Sequence, residues 1–400
     1  MEPNLLEQEV NQLELTDLVR RALDRPEVQI TDWNIQQLHG GMELDSSICR
    51  VRGQATAGGE TLPWSLIRKS VKPAPQSADP AGIWYWKREA LAYQSGLLHS
   101  LPGGNLTAPA CYAVHEEPDG SLHLWLEDIQ DDVGSPWPLE QYARVARHLG
   151  QFNGAYLCGQ SLPSNTCITH DWLRMYVDHA DDSVEFIRKN PNHPIIRHLF
   201  PGPALAQVLA IWDEHKRILD TLDGLPQVFC HQDAFKRNLF ARGGKTIAID
   251  WGYAGIAPVG AELVALIAGS IGFWEIPAEK VMEMERLCFE SYLQGLAEAG
   301  WKGDPRLVRK GYRLTLLLRY PIGGSVGEVV PTLLDQARRA KLEATLEKPA
   351  AEIEKTDPAI MAFYQAGLPI ALKLLGVMGL LRLAFRMIAY SLRLGKASQN

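Results

Sequence analysis

The run His231-Gln232-Asp233-Ala234-Phe235-Lys236-Arg237-Asn238 is followed, twelve residues after Asn238, by Asp250 in Ile247-Ala248-Ile249-Asp250-Trp251. Together these segments hold three groups that phosphoryl transfer requires. The Asp233 carboxylate can orient an attacking hydroxyl and accept its proton. The amide oxygen of Asn238 and the carboxylate of Asp250 can bind Mg²⁺ on nucleotide phosphates. Taken alone, the same residues also read as an ordinary surface turn, so the rest of the chain has to supply the other parts of a site.

Two apolar runs, Leu239-Phe240 and Thr246-Ile247-Ala248-Ile249, flank Ala241-Arg242-Gly243-Gly244-Lys245. This pattern predicts a short hairpin with a Gly-Gly turn, whose open end brings Asn238 and Asp250 side by side. Upstream, residues 4–24 have apolar positions at helical spacing. From Val28 to about Val71 the period shortens to that of three antiparallel strands, broken at Gly40-Gly41 and Gly58-Gly59. Residues 72–82 read as a loop and Ile83 to Leu98 as a helix. Strands near 110–116 and 121–127 flank a Pro-Asp-Gly turn. Beyond Leu139 the pattern is helical apart from the 228–250 hairpin.

These elements carry further polar groups. The segment joining the first two strands holds Gly40, Gly41, Ser46 and Ser47, whose backbone N–H groups can approach phosphate closely; a plain hairpin loop reads equally well. Lys69 closes the third strand, where its ammonium can reach the α- and β-phosphates. Glu89 on the next helix can hold that lysine by an ion pair. Arg68 competes for the role, but strand alternation sends Arg68 and Lys69 to opposite faces. Glu127, Asp128 and Ile129 end the strand region and can offer backbone groups to an adenine edge. Each of these taken singly is also a solvated surface charge or a strand running into a loop.

The 400 residues exceed what one small core uses, and a 46% apolar, 22% charged composition fits a folded protein of two domains. A net charge of −7 argues against a nucleic-acid partner, which needs clustered Lys and Arg. Six cysteines without a Cys-x-x-Cys pair read as reduced thiols rather than a zinc site. The N-terminal residues lack a basic and apolar leader pattern, so a cytoplasmic location is expected.

The order of Gly loop, strand lysine, helix glutamate, lobe-joining strand, His-x-Asp-x-x-x-x-Asn and Ile-Asp-Trp resembles the aminoglycoside phosphotransferase and choline kinase superfamily of protein-kinase-like small-molecule kinases. The segment Leu149-Gly150-Gln151-Phe152-Asn153-Gly154-Ala155-Tyr156 resembles a helix found there. The likeness runs from about Ile30 to Leu266. It implies a two-lobed α+β fold: an N-lobe over 1–126, a hinge over 127–132 and a helical C-lobe over 133–400. It further implies Asp233 as catalytic base, His231 as a brace, and Asn238 and Asp250 as Mg²⁺ ligands. Lys69 with Glu89 would position the phosphates of ATP or GTP, and residues 127–129 would bind adenine. Two departures stand out. Gln232 occupies a position these kinases usually give to Gly, and Glu262 stands where Asp is expected and reads as structural. Lys236 is open between a phosphate contact and the surface.

The expected activity is transfer of the γ-phosphoryl group to a hydroxyl of an aminoglycoside, amino sugar or amino alcohol. A peptide Ser or Thr hydroxyl, and a nucleotide-binding pseudokinase acting as a partner module, are the alternatives. Trp172, Tyr176, Asp178, Asp181, Asp182, Glu185, Trp274 and Glu275 are candidates for holding a cationic acceptor; a solvated acidic helix face is the competing reading. The apolar run 367–381, interrupted by Lys373, is short for a membrane span, and packing on the C-lobe, a homodimer contact or a membrane surface are its three readings.

Overall fold

The computed structural model describes residues 12–38, 46–200, 202–270, 275–277 and 280–338. Gly40, Gly41, Trp274, residues 4–11 and the 367–381 run lie outside them, as does the side chain of Ser46. The described residues form an α+β protein in two compact units. One takes in residues up to Trp172 with Val228–Ile256 and Ser291–Lys302; the other takes in Leu173–Gln227, Ala257–Glu290 and Gly303 onward.

The first unit is built on a five-stranded antiparallel sheet. Its strands are β1 (Gln29–Leu38), β2 (Ser46–Ala57), β3 (Glu60–Val71), β5 (Cys111–Glu116) and β6 (Leu122–Glu127), in the order β1-β2-β3-β6-β5. The short β4 (Leu106–Thr107) lies elsewhere. Alternation along these strands places an apolar cluster on each face of the sheet, and a helix packs on each cluster. Helix α1 (Gln12–Leu23) places Leu15, Leu18 and Val19 on one stripe, against Val51, Trp64, Leu66 and Trp125. Each such side chain withdrawn from water contributes roughly 1.5–3 kcal/mol. On the opposite face Leu122, Leu124, Leu126 and Ile67 pack on Ala90 and Tyr93 of α2 (Arg88–Gln94).

Helix α2 is shorter than the expected 83–98 span. Its C-terminus is set by Gly96 at φ 78°, whose N–H returns to Tyr93 O. Before its start, the Ile83 carbonyl accepts from the Arg88 guanidinium, and the Gly82 carbonyl accepts from both that guanidinium and the Tyr85 N–H.

Strands β8 (Leu239–Arg242) and β9 (Lys245–Ala248) form the expected hairpin, with Gly243 and Gly244 at φ 56° and 79°, the left-handed pair that a two-residue turn demands. Sequence periodicity did not disclose that β4 adds to β9 in parallel, making a three-stranded sheet. Nor did it disclose the further strand Gly255–Pro258. Helix α3 (Leu139–Leu157) lies against the last turns of the helix Val281–Glu298, at a separation only glycine permits: a Cβ on Gly150 would meet Tyr292 O at 2.2 Å, and one on Gly295 would meet Arg147 O at 2.0 Å.

The second unit is helical. Val177, Val184, Ile187, Ile196, Leu199, Trp212 and Leu219 form its core with Leu318, Ile322 and Val326 of a π-helical segment, Leu318–Val329. Asp178, Asp181, Asp182 and Glu185 are exposed, and Glu185 pairs with Lys189 one helical turn on.

Candidate active site

The site assembles around Lys69, near the end of β3. Cross-strand pairing sets Lys69 opposite Ile48 on β2 and Leu124 on β6, the face that α2 covers. Its Nζ donates to Glu89 Oε2 at 2.6 Å and to Asp250 Oδ1 at 2.8 Å. Glu89 uses its other oxygen, Oε1, to accept the Trp251 N–H at 3.2 Å. A strand, the first turn of a helix and the residue following a hairpin therefore meet at one ammonium, although Lys69 and Asp250 are far apart in sequence. Arg68 is also buried, but it is Lys69 that pairs with Glu89.

Burial of the Lys69 ammonium opposes its charge. The carboxylates of Asp250 and Glu89 outweigh that cost and hold it protonated, well above the usual lysine range. Burial likewise pushes the Asp250 carboxyl up, yet the Lys69 charge and its hydrogen bond hold it below the usual carboxylate range.

The second part of the site is the loop between β7 (Gln227–Cys230) and β8. His231 is fully buried, its ring 4.5 Å from that of Trp251. Its Nε2 lies 2.9 Å from Ile249 O, and its Nδ1 receives the Asp233 N–H at 3.2 Å. A carbonyl only accepts and an amide N–H only donates, so the imidazole is the neutral Nε2–H tautomer, tying the loop to the hairpin. Asn238 donates through Nδ2 to Asp233 O at 3.0 Å and to Asp233 Oδ2 at 3.1 Å. Its backbone carbonyl accepts the Ile249 N–H at 2.9 Å. Asn238 is thus level with the residue before Asp250, as the hairpin reading anticipates.

Two backbone positions are unusual. Gln232 has φ 69° and Asp250 φ 65°, both in the left-handed region that non-glycine residues rarely adopt. The conformation at Gln232 supplies a physical reason for a glycine at that position, and here a side chain is carried there instead. At Asp250 it turns the chain sharply at the end of β9, which leads the carboxylate back to Lys69.

The donor set suits a hard divalent cation. The Asn238 amide nitrogen is committed to Asp233, so its oxygen is the atom it could offer a cation. Asp250 accepts from Lys69 at Oδ1, and its carboxylate also takes the Gly252 N–H. An amide oxygen and a carboxylate oxygen are ligands of the kind Mg²⁺ takes, with phosphates and water completing the shell.

The remaining expected residues fall differently. Ser47 lies at the start of β2, opposite Ser70. Glu127 is tied into the sheet: its N–H donates to Ala110 O, and its carboxylate accepts from the Ala110 N–H and from Arg242. The Asp128 carboxylate receives a two-point hydrogen bond from Arg50, at 2.7 and 3.0 Å, and another from Ser65 at 2.6 Å. The Asp128 side chain is therefore committed to these partners. Arg50 lies opposite Ile67, on the Lys69 face of the sheet, and with Arg52, Ser65, Asp128 and Gln130 it lines an open groove of about 660 Å³. Lys236 places its Nζ 5.6 Å from the Trp137 ring centre, and Glu262 is fully buried.

Sequence reasoning missed three supports. Asp131 and Asp132 bind the hairpin: Ala241 N–H donates to Asp131 Oδ1, Asp132 N–H to Ala241 O, and Gly243 N–H to Asp132 Oδ2. Asn153, fully buried on α3, donates to Phe229 O and accepts from the Tyr292 hydroxyl, fixing the strand that leads into the His231 loop. Arg88 reaches the Asp250 turn. Its position next to the expected Glu89 is visible in the sequence, but its burial and its carbonyl partners are not.

The model of a family described as phosphotransferase enzyme family matches residues 85–299, just over half of the 400 residues. No curated protein matches. Among solved structures, choline kinase from Cryptosporidium parvum is 13% identical, with 87% of this chain and 97% of that one covered at a TM-score of 0.52. Aminoglycoside phosphotransferase APH(4)-Ia is 14% identical, covering 91% and 98% at 0.47. Amicoumacin kinase hAmiN, solved with AMP-PNP and Ca²⁺, is 12% identical, covering 86% and 96% at 0.44. At these identities the choline kinase likeness shows the fold, which is the kinase-like α+β fold.

Proposed function

The chain belongs to the phosphotransferase enzyme family, and from that premise we propose that it transfers the γ-phosphoryl group of ATP, or of GTP, to a hydroxyl of a small molecule in a Mg²⁺-dependent reaction. The observation that carries this reading is the convergence of Lys69, Glu89 and Asp250 within hydrogen-bond distance. That geometry keeps a permanent cation beside a carboxylate held ionised at neutral pH, and phosphate binding needs both.

In this reading the acceptor hydroxyl meets the Asp233 carboxylate, oriented by the Asn238 amide on Oδ2. Its proton passes to Asp233 as its oxygen bonds the γ-phosphorus, and the bond to the β-phosphate oxygen breaks to release the nucleoside diphosphate. Lys69 leaves its contact with Asp250 to donate to the α- and β-phosphates, while Glu89 keeps it in place. Asn238 Oδ1 and the Asp250 carboxylate would hold a Mg²⁺ ion, which would supply charge neutralisation on the phosphates. His231 keeps the loop in register and takes no proton. The base lies in the groove lined by Arg50 and Asp128 and meets the backbone of residues 128 and 129. Positioning and charge account for most of the acceleration, so the groups that hold geometry matter as much as the base.

The test is phosphate incorporation, read by mass spectrometry, across aminoglycosides, amino sugars, choline-like alcohols and Ser/Thr peptides, with wild type and Asp233→Ala compared. One small-molecule class should be phosphorylated, and Asp233→Ala should lower turnover by at least about 10²-fold while nucleotide binding persists. Peptide incorporation alone would replace the acceptor class. Mg²⁺-dependent nucleotide binding without turnover on any acceptor would make the chain a nucleotide-sensing partner module.

A further inference from the structure

Arg88, the first residue of α2, is fully buried. Its guanidinium donates from Nε to Cys167 O at 2.6 Å, from Nη1 to Ile83 O at 2.8 Å and to Gly252 O at 2.7 Å, and from Nη2 to Gly82 O. At least four backbone carbonyls, from three separate stretches of chain, converge on one rigid fork. Burying a guanidinium is costly, and carbonyl partners offset that cost only when their geometry is good. A neutral or flexible side chain could fill the same space more cheaply. What the planar fork adds is fixed angles between the segments it joins.

One of those segments is the turn that carries Asp250. Gly252 engages it from both ends: its N–H donates to the Asp250 carboxylate, and its C=O is the acceptor of Arg88. The neighbouring Glu89 holds the Trp251 N–H and, through its other oxygen, Lys69. Two consecutive residues of α2 therefore hold the turn on either side of Trp251, and Asp250 sits there in a left-handed conformation that the surroundings must enforce.

We infer that Arg88 is a positioning residue for the metal-binding turn: it couples the start of α2, and with it the Lys69–Glu89 pair, to the orientation of the Asp250 carboxylate. Displacing α2 then disturbs the lysine and the metal ligand together, whereas an isolated Lys69–Glu89 pair would govern only the lysine. The inference rests on the proposed role of Asp250 as a metal ligand.

The variant that isolates the fork is Arg88→Lys, which keeps the charge but cannot hold several carbonyls at fixed angles. Nucleotide binding is measured by calorimetry with and without Mg²⁺, and the Mg²⁺ concentration for half-maximal binding is compared with wild type. The expected result is metal-free nucleotide affinity within about twofold of wild type and a Mg²⁺ requirement raised by about tenfold or more, the scale of supporting contacts around metal ligands. A folded Arg88→Lys protein with an unchanged Mg²⁺ requirement overturns the inference. A second measurement on wild type does not depend on the variant folding: amide exchange read by mass spectrometry as Mg²⁺ is added to the nucleotide complex. Joint slowing in 82–92 and 250–254 supports the coupling, and slowing confined to 250–254 overturns it. If Mg²⁺ changes neither nucleotide affinity nor exchange in wild type, the metal reading of Asp250 fails and takes the inference with it. In that case Lys69→Ala still tests nucleotide binding separately.

Discussion

At the scale of single residues, the candidate site is an arrangement of charges that stabilise one another. Asp250 bears on this most directly, because its folded-state ionisation lies below the usual carboxylate value. A depressed carboxyl pKa contributes stability above the unfolded-state value, and that contribution is lost as pH falls toward the folded-state value. Acid unfolding of wild type is therefore expected to include a component setting in below about pH 4 that Asp250→Asn lacks. The check is the pH dependence of the denaturant midpoint for both proteins, and parallel curves would remove the ion pair from the stability of the fold. Lys69 gives no opposite effect in the accessible range, since its raised pKa places any loss at strongly alkaline pH. The sequence identified the participating residue types here through spacing and strand alternation. It could not say that Lys69 contacts Asp250 as well as Glu89, because that distance depends on how a strand and a hairpin pack.

Among elements, the hairpin and α2 do the positioning. The Gly243-Gly244 turn sets the register that levels Asn238 with Ile249, so strain placed in the turn is transmitted to its open end. Gly244, at φ 79°, has no heavy atom within 4 Å of the point a Cβ would occupy, so a side chain there meets backbone strain rather than a steric clash. Gly244→Val is expected to cost roughly 1–2 kcal/mol in chemical denaturation. A smaller loss of Mg²⁺-dependent nucleotide affinity should accompany it, and an unchanged denaturation midpoint would show that the register is fixed elsewhere, for example by the Asp131 and Asp132 contacts. The hairpin was legible because its signal is local: two apolar runs and a Gly-Gly pair. The early end of α2 was partly legible in Gly96. Its late start was not, since an arginine side chain that captures carbonyls looks in sequence like any helical arginine.

For the molecule as a whole, the sheet-based unit contains Lys69, Glu89, Asp233, Asn238 and Asp250 together. Nucleotide binding should therefore register as global stabilisation of that unit. Ligand at 100 times its dissociation constant adds about 2.7 kcal/mol to the stability of the state that binds it. Mg²⁺ with ATP or GTP is expected to raise the thermal midpoint of wild type and of Asp233→Ala alike. For Asp250→Ala, adding Mg²⁺ should bring no increment beyond nucleotide alone. An equal Mg²⁺ increment in Asp250→Ala, measured by differential scanning calorimetry, would exclude it as a ligand. Among the described residues no helix is long and apolar enough to cross a membrane.

With the fold class implied by the family resemblance, the sequence by itself determined the long strands β1 to β3, the β8–β9 hairpin and the residue types available for phosphate and metal chemistry. Each of these is written in periodicity, in turn chemistry or in short fixed spacings. The tertiary structure alone decided which charges meet, that the Asp128 carboxylate is occupied by Arg50 and Ser65, and that Arg88 holds the Asp250 turn. Such contacts join residues up to 181 positions apart, as in the pair Lys69–Asp250. Their distances follow from the packing of whole elements, and no local pattern in the chain encodes them.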